Sequence, residues 1–328
     1  MKNLHKNLGA VDSSSLALVY VDGPTTEVTK PLDPDYVSGF SDAESCFVIK
    51  ISRCGKSKTG WRIDPAFEIG LNVKDLALLE QFKAFFGVGT IRLKASNNSA
   101  IYSVQSVKDL ICVIIPHFDK YSLITQKRAD FELFKQVLGL MVKKEHLTKE
   151  GLQEVVNLRA SMNKGLSETQ KGAFPDSVCV ERPLLQLTES INLGWLAGFV
   201  DGEGCFLISV VRQAKNNVGF TVALRFSITQ HSRDLKLMEE LVRVLGCGSI
   251  VMQPKKGTVE LVVTKFGDIQ DKIIPIFDQY PLQGAKSLNY RDFCKGAQLI
   301  KAKAHLTPEG LNQILEIKTG MNKGRKAD

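Results

Sequence analysis

No stretch of this sequence approaches 18 apolar residues without a charge, so a membrane-spanning helix is excluded. Its seven cysteines (46, 54, 112, 179, 205, 247 and 294) form no CxxC pair. An odd number at scattered spacing argues against a disulfide framework and a structural zinc site, and for a reducing compartment. Residues 1–33 have no Arg and four acids (Asp12, Asp22, Glu27, Asp33), so they do not read as a transit peptide. Disorder over the whole length is excluded too, because aromatic and β-branched residues recur throughout. What remains is 328 residues, 44% of them apolar, which is enough for about two packed domains. Lys and Arg number 43 against 35 Asp and Glu, a net charge of +8. That balance permits nucleic acid or acidic lipid as a partner without choosing between them.

The chain is one unit written twice. Gly39-Phe40-Ser41-Asp42-Ala43-Glu44 returns as Gly198-Phe199-Val200-Asp201-Gly202-Glu203, a shift of 159. The same shift carries Phe47 to Phe206, Arg53 to Arg212, and Gly87-Val88-Gly89 to Gly246-Cys247-Gly248. It holds through Ile114-Ile115-Pro116 and Ile273-Ile274-Pro275 and ends at Met162-Asn163-Lys164-Gly165 and Met321-Asn322-Lys323-Gly324. A constant offset over such widely spaced matches marks a tandem repeat. The expected organisation is a poorly ordered leader (1–33), a first repeat (34–166), a connection (167–192) and a second repeat (193–328). The connection has two prolines and no sustained period.

Within each repeat the periods alternate. Asp33-Pro34 is an N-cap followed by Pro at the first helical position, which opens a helix to about Ala43. Residues 46–53 and 61–71 alternate as strands, and Asp75 starts an amphipathic helix to about Phe86. Strands near 89–95 and 100–105 follow, then helices near 107–115, 126–143 and 148–162. The order predicts an α+β fold of two tandem αββαββα repeats, each an antiparallel four-stranded sheet with helices on one face. In the fourth strand of each repeat, period-two alternation turns Tyr102, Val104, Leu261 and Val263 inward. It turns Ile101, Ser103, Gln105, Glu260, Val262 and Thr264 outward.

Each repeat's first helix carries a Gly (Gly39, Gly198) beside a small residue (Ser38, Ala197). A Gly inside a helix costs about 1 kcal/mol relative to Ala, and close approach of two helices would offset it. If the two helices pack there, Glu44 and Glu203 meet at helix C-termini, where the dipole is also negative. A divalent cation would relieve both repulsions, and the carbonyls of Ala43 and Gly202 stand at the right helix ends to add oxygen ligands. One such acid would read as a solvated turn residue; the repeated pair reverses that preference. Asp42 and Asp201, earlier on the helix, read instead as structural groups bonding local backbone.

VSGFSDAES (37–45) and LAGFVDGEG (196–204) resemble the two motifs of a single-chain LAGLIDADG homing endonuclease. The resemblance covers about 34–325, with Ser38 and Ser45 as mild departures in the first motif. It implies a pseudo-twofold saddle of two sheets over the DNA major groove, with Glu44 and Glu203 as the metal-binding acids. It also implies cleavage of both strands of a long non-palindromic site, by a monomer, leaving 3′ overhangs. The metal implied is Mg2+, with Mn2+ able to substitute and Ca2+ binding without supporting cleavage. Double-stranded DNA is the expected partner, with no membrane and no obligate protein partner. The alternatives are an RNA maturase acting on host intron RNA and a cleavage-inactive DNA-binding protein. Intron encoding and a mitochondrial location follow from the resemblance.

Twenty-seven residues past each acid lie Leu71 and Gln230. The resemblance implies that a polar residue here positions water, so Gln230 is a catalytic candidate and Leu71 is not. It likewise implies that Lys127 and Lys286 balance charge on the phosphate. His146 and His305 read as cap or packing residues, and Cys46 and Cys205 as small strand residues. The polar sheet faces supply the DNA-contact candidates. These are Lys50, Ser52, Arg62, Asp64, Glu68, Arg92, Lys94, Ser103 and Gln105 in the first repeat. In the second they are Ser209, Thr221, Arg225, Ser227, Glu260 and Thr264. Turns Cys54–Gly60 and Gln213–Asn217 carry Lys56, Lys58 and Lys215 as phosphate anchors.

Overall fold

The computed structural model describes residues 31–183, 190–216 and 218–325. The expectation for the leader therefore lies outside the described residues, apart from its last three positions. The first repeat runs α1 (Pro34–Glu44), β1 (Ser45–Arg53), β2 (Trp61–Asn72), α2 (Leu76–Phe86), β3 (Thr90–Lys94) and β4 (Ser99–Val104). It continues with α3 (Val107–Asp109), α4 (Ile115–Lys120), α5 (Lys127–Val142) and α6 (Lys149–Ala160). After α7 (Glu168–Ala173) the second repeat gives α8 (Leu193–Glu203), β5 (Gly204–Arg212), β6 (Phe220–His231), α9 (Leu235–Leu245), β7 (Ser249–Gln253) and β8 (Thr258–Val263). Helices α10 (Phe266–Asp268), α11 (Ile274–Gln279), α12 (Lys286–Lys301) and α13 (Pro308–Thr319) complete it. The strands form two antiparallel sheets ordered β1-β2-β4-β3 and β5-β6-β8-β7.

One aromatic cluster serves both cores. Phe47 packs on Phe67, Phe118, Phe131 and Phe134 with ring centroids 5.2 to 5.5 Å apart. Phe206 repeats this with Phe226, Phe277, Tyr290 and Phe293 at 5.2 to 5.6 Å. Each partner is displaced by the same 159 residues, so the helices cover the same sheet face in both halves. Asp33 caps α1 as expected, accepting from the N–H groups of Asp35 and Tyr36.

Three expectations need correction. The connection contains α7, which opens with a capping box between Ser167 and Gln170. Six residues are too few for a helical period to declare itself. The helix expected near 107–115 continues to Lys120 through a π turn, Leu110–Ile114, just before Pro116, which has no N–H to donate. Third, facing outward does not mean exposed. Tyr102, Val104, Leu261 and Val263 are buried in the core, but outward Ser103, Ser227 and Glu260 are also buried, beneath polar neighbours on the sheet. Gln105 and Thr264 lie one residue past their strands and are exposed. Leu261→Ala should therefore cost about 2–5 kcal/mol in a denaturation experiment. Thr264→Ala should leave the transition in place, and equal destabilisation by the two would discard the register.

Candidate active site and DNA-facing surface

Helices α1 and α8 touch backbone to backbone. A Cβ built on Gly39 would stand 1.9 Å from the Trp195 carbonyl oxygen, and one on Gly198 would stand 2.0 Å from that of Tyr36. No side chain fits at either position, which is the offset for glycine inside a helix. The helix ends converge as a result: a Cβ on Gly202 would meet the Ala43 Cβ at 2.3 Å and a Glu44 carboxylate oxygen at 3.5 Å. Glu44 and Glu203 are the last residues of their helices. Burial raises the pKa of both; repulsion from Glu203 adds to this at Glu44, while Lys286 and Lys127 oppose it.

Asp42 and Asp201 are buried struts. Asp42 accepts from the N–H groups of Ile124 (2.8 Å) and Thr125 (3.3 Å), which are backbone groups as expected but lie 82 and 83 residues away rather than locally. Asp201 accepts from those of Gln283 and Gly284, both at 2.7 Å. Each also takes a donor from the opposite helix: Trp195 Nε1 to Asp42 at 2.9 Å, and the Tyr36 hydroxyl to Asp201 at 2.6 Å. Tyr36 and Trp195 are themselves repeat equivalents, so the two helices are cross-braced reciprocally. The loops so held lead directly into α5 and α12, which begin with Lys127 and Lys286.

The two lysines reach the helix ends. Lys127 Nζ donates to the carbonyls of Ser41 (2.9 Å) and Ala43 (3.2 Å). Lys286 Nζ donates to those of Val200 (3.1 Å) and Gly202 (2.6 Å). Each ammonium thus gives a donor to a last-turn carbonyl, that of Ala43 or Gly202, shares one that the C-cap N–H already bonds, and meets the negative end of the dipole. Burial lowers both lysine pKa values, with nearby carboxylates pulling them back up. The carbonyls of Ala43 and Gly202, expected to add oxygen ligands to a cation, already accept one bond each and keep a second lone pair.

The two acids have unequal neighbours. Gln230 stands near Glu203, where its polar side chain opposes the rise in pKa that burial causes. Leu71 offers nothing comparable in the cleft that Glu44, Asn72, Asp75, Gly202 and Lys286 line with it. Among the described residues, no group of three or more His, Cys, Asp or Glu side chains gathers closely enough to enclose a metal. One or two carboxylates with carbonyl help is nonetheless the donor set that suits Mg2+, which keeps waters and takes substrate phosphates as further ligands.

Asp75 and Asp234 were missed as site residues. Neither side chain caps the helix it precedes. Asp75 accepts instead from the Ala285 N–H at 2.6 Å, and Asp234 from the Gln126 N–H at 2.9 Å. Each repeat thereby fixes the residue just before the other repeat's lysine. Their 159-residue equivalence was the available signal. Asp234→Ala should cost about 1–2 kcal/mol of stability, as loss of a cap does. It should also slow single-turnover DNA cleavage while DNA affinity holds; an unchanged rate would remove the residue from the site.

The outward sheet faces differ between repeats. In the first, Lys50, Arg62, Arg92 and Lys94 are exposed, while Ser52 and Asp64 are partly covered. Arg62 pairs with Asp64 at 2.9 Å. Ser103 donates to Glu68 and accepts from Gln105, at 3.2 and 3.1 Å. In the second, Ser209, Thr221 and Arg225 are partly exposed, and Thr221 donates to Gln213 at 2.7 Å. Ser227 and Glu260 are buried.

Two repeats, each with a sheet, a motif acid at the shared helix seam and a half-buried lysine, define a scaffold with one acid–lysine site per repeat. The LAGLIDADG endonuclease family model matches residues 37–138 and again 196–297, more than half of the chain, and the protein belongs to this family. The LAGLIDADG homing endonuclease I-SmaMI, in a crystal structure bound to cleaved DNA, superposes with a TM-score of 0.88 at 48% identity. That match covers 90% of this chain and 98% of I-SmaMI. I-LtrWI, bound to its target DNA, gives 0.87 at 40% identity over 89% and 98% of the two chains. "Probable intron-encoded endonuclease 2" of Neurospora crassa is 40% identical over 90% of this chain. The chain spans 67% of that relative's length, and 54% of the length of "Probable intron-encoded endonuclease 3" from the same fungus, at 39% identity.

Proposed function

We propose that this protein is a site-specific, divalent-metal-dependent homing endonuclease that cuts both strands of a long, non-palindromic DNA site as a monomer, leaving 3′ overhangs. The carrying observation is the pair of carboxylates at abutting helix ends, one from each repeat, each with a lysine at hand. One acid addresses one strand, so a duplex break needs both. Intact acids in both repeats speak against a cleavage-inactive binder. The DNA-bound relatives support double-stranded DNA as the partner, and the polar sheet faces suit the major groove.

Glu44 and Glu203, with the carbonyls of Ala43 and Gly202, would hold Mg2+. Bound there, the metal would supply Lewis-acid stabilisation of the attacking and leaving oxygens. The chain's own residues do the rest. Lys127 and Lys286 bring positive charge next to the phosphates, and Gln230 orients Glu203 and a water beside it. Mn2+ would substitute, whereas Ca2+ would allow binding without cleavage; I-SmaMI has been seen on uncleaved DNA with calcium. Intron encoding of relatives supports an organelle origin, and we place the protein in mitochondria.

The test is selection of cleaved duplexes from a randomised library in Mg2+. One long asymmetric consensus cut on both strands is expected. Absence of cleavage, with intron RNA splicing assisted instead, would overturn this reading in favour of a maturase.

A further inference from the structure

The second sheet carries a polar network with no counterpart in the first. Arg225 Nη2 lies 2.8 Å from Glu260 Oε1, and Gln253 Nε2 donates to Glu260 Oε2 at 3.0 Å. The repeat equivalents are Ala66, Ile101 and Lys94, which cannot build it. Strand register shows what the pair does. β6 faces β8 with Ser227 opposite Val262 and Thr229 opposite Glu260. Arg225 and Glu260 therefore stand on the same face, on either side of the Ser227–Val262 row, and their ion pair spans it. This accounts for the low exposure of two outward residues, Ser227 at 6% and Val262 at 8%.

The two members of the pair are not equally free. Glu260 has both carboxylate oxygens engaged and a side chain only 12% exposed. A side chain so covered leaves little of its acceptor edge for a cytosine amino group to reach. Arg225 has a side chain 38% exposed, and it approaches Glu260 with the terminal nitrogen Nη2. A guanidinium has five N–H donors in a fixed fork, so an edge remains for the O6 and N7 acceptors of guanine.

We propose that Glu260 is a positioning residue that holds Arg225 as the reader of one guanine in the half of the target beneath the second sheet. The first sheet has no such reader at the equivalent place, where Ala66 is buried and neither it nor Ile101 carries a hydrogen-bonding side chain. This rests on the proposed DNA-binding function. It reassigns Glu260 from a base contact to a support.

The experiment is selection of bound duplexes from a randomised library in Ca2+, with melting curves, for the wild type, Arg225→Ala, Arg225→Lys and Glu260→Gln. The wild type should enrich guanine at one position of that half-site by roughly 5- to 100-fold. Arg225→Ala should flatten that position alone. Arg225→Lys, which keeps the charge but lacks the fork, should retain binding and lose the preference. Glu260→Gln should blunt the same position and no other, without moving the melting transition. A change at a different position in Glu260→Gln would make Glu260 a reader in its own right and overturn the proposal. So would an unchanged profile in both Arg225 variants. A wild-type profile flat at every position would overturn the DNA-binding reading, and this proposal with it.

Discussion

Glu44→Gln and Glu203→Gln should each abolish linearisation of a plasmid carrying the target, leaving at most a nicked circle, while DNA affinity is retained. An amide cannot neutralise a divalent cation, and losing several kcal/mol of transition-state stabilisation slows a reaction by about a thousandfold or more. The same variants should melt higher than wild type in metal-free buffer at neutral pH. Both glutamates have raised pKa values, chiefly from burial. A carboxyl whose folded pKa exceeds its unfolded pKa favours the fold below the unfolded value, and that contribution is lost as pH rises through the folded one. Neutral pH is therefore where removing the charge helps. Cation binding needs the ionised form, so cleavage should fall away with acidification at a pH above the ordinary glutamate value. Normal linearisation by either variant would remove that acid from the mechanism. Lower melting temperatures would contradict the electrostatic account while leaving the catalytic one in place.

Gly39→Ala or Gly198→Ala should destabilise the protein by about 3 kcal/mol or more and eliminate cleavage. Gly to Ala inside a helix ordinarily stabilises by about 1 kcal/mol. Here the new methyl would fall far inside van der Waals contact with a carbonyl oxygen of the facing helix, 1.9 Å for Gly39 and 2.0 Å for Gly198. Relief requires the helices to separate, which breaks the Trp195–Asp42 and Tyr36–Asp201 braces and carries the two acids apart. Gly139, within α5, is the internal control, since a Cβ there would meet nothing within 4 Å. Gly139→Ala should be neutral or stabilising. If all three substitutions shift the denaturation midpoint alike, intrinsic propensity is at work and close helix packing is not.

The sequence by itself determined whatever one repeat could say twice. The 159-residue shift, the period-two runs and the capped helices gave the element order. A glycine wasted inside a helix, found twice, gave the helix contact. Two acids at equivalent ends pointed to the chemistry proposed above. Each of these is local, or a local feature duplicated, and local features write themselves into residue spacing. Only the tertiary structure decided which partner each polar group takes. Asp75 looks in sequence like the cap of its own helix, yet its carboxylate reaches Ala285, 210 residues on. Lys127 and Lys286 stand at helix starts, yet their ammonium groups sit on the carbonyls of Ala43 and Gly202, each 84 residues earlier. Glu260 reads as an outward residue on an alternating strand, yet Arg225 and Gln253 close over it. A hydrogen-bonding side chain specifies only that it must find a partner when buried. Which partner it finds depends on how distant elements pack within a repeat and on how the two repeats dock, and residue spacing along the chain does not encode that geometry.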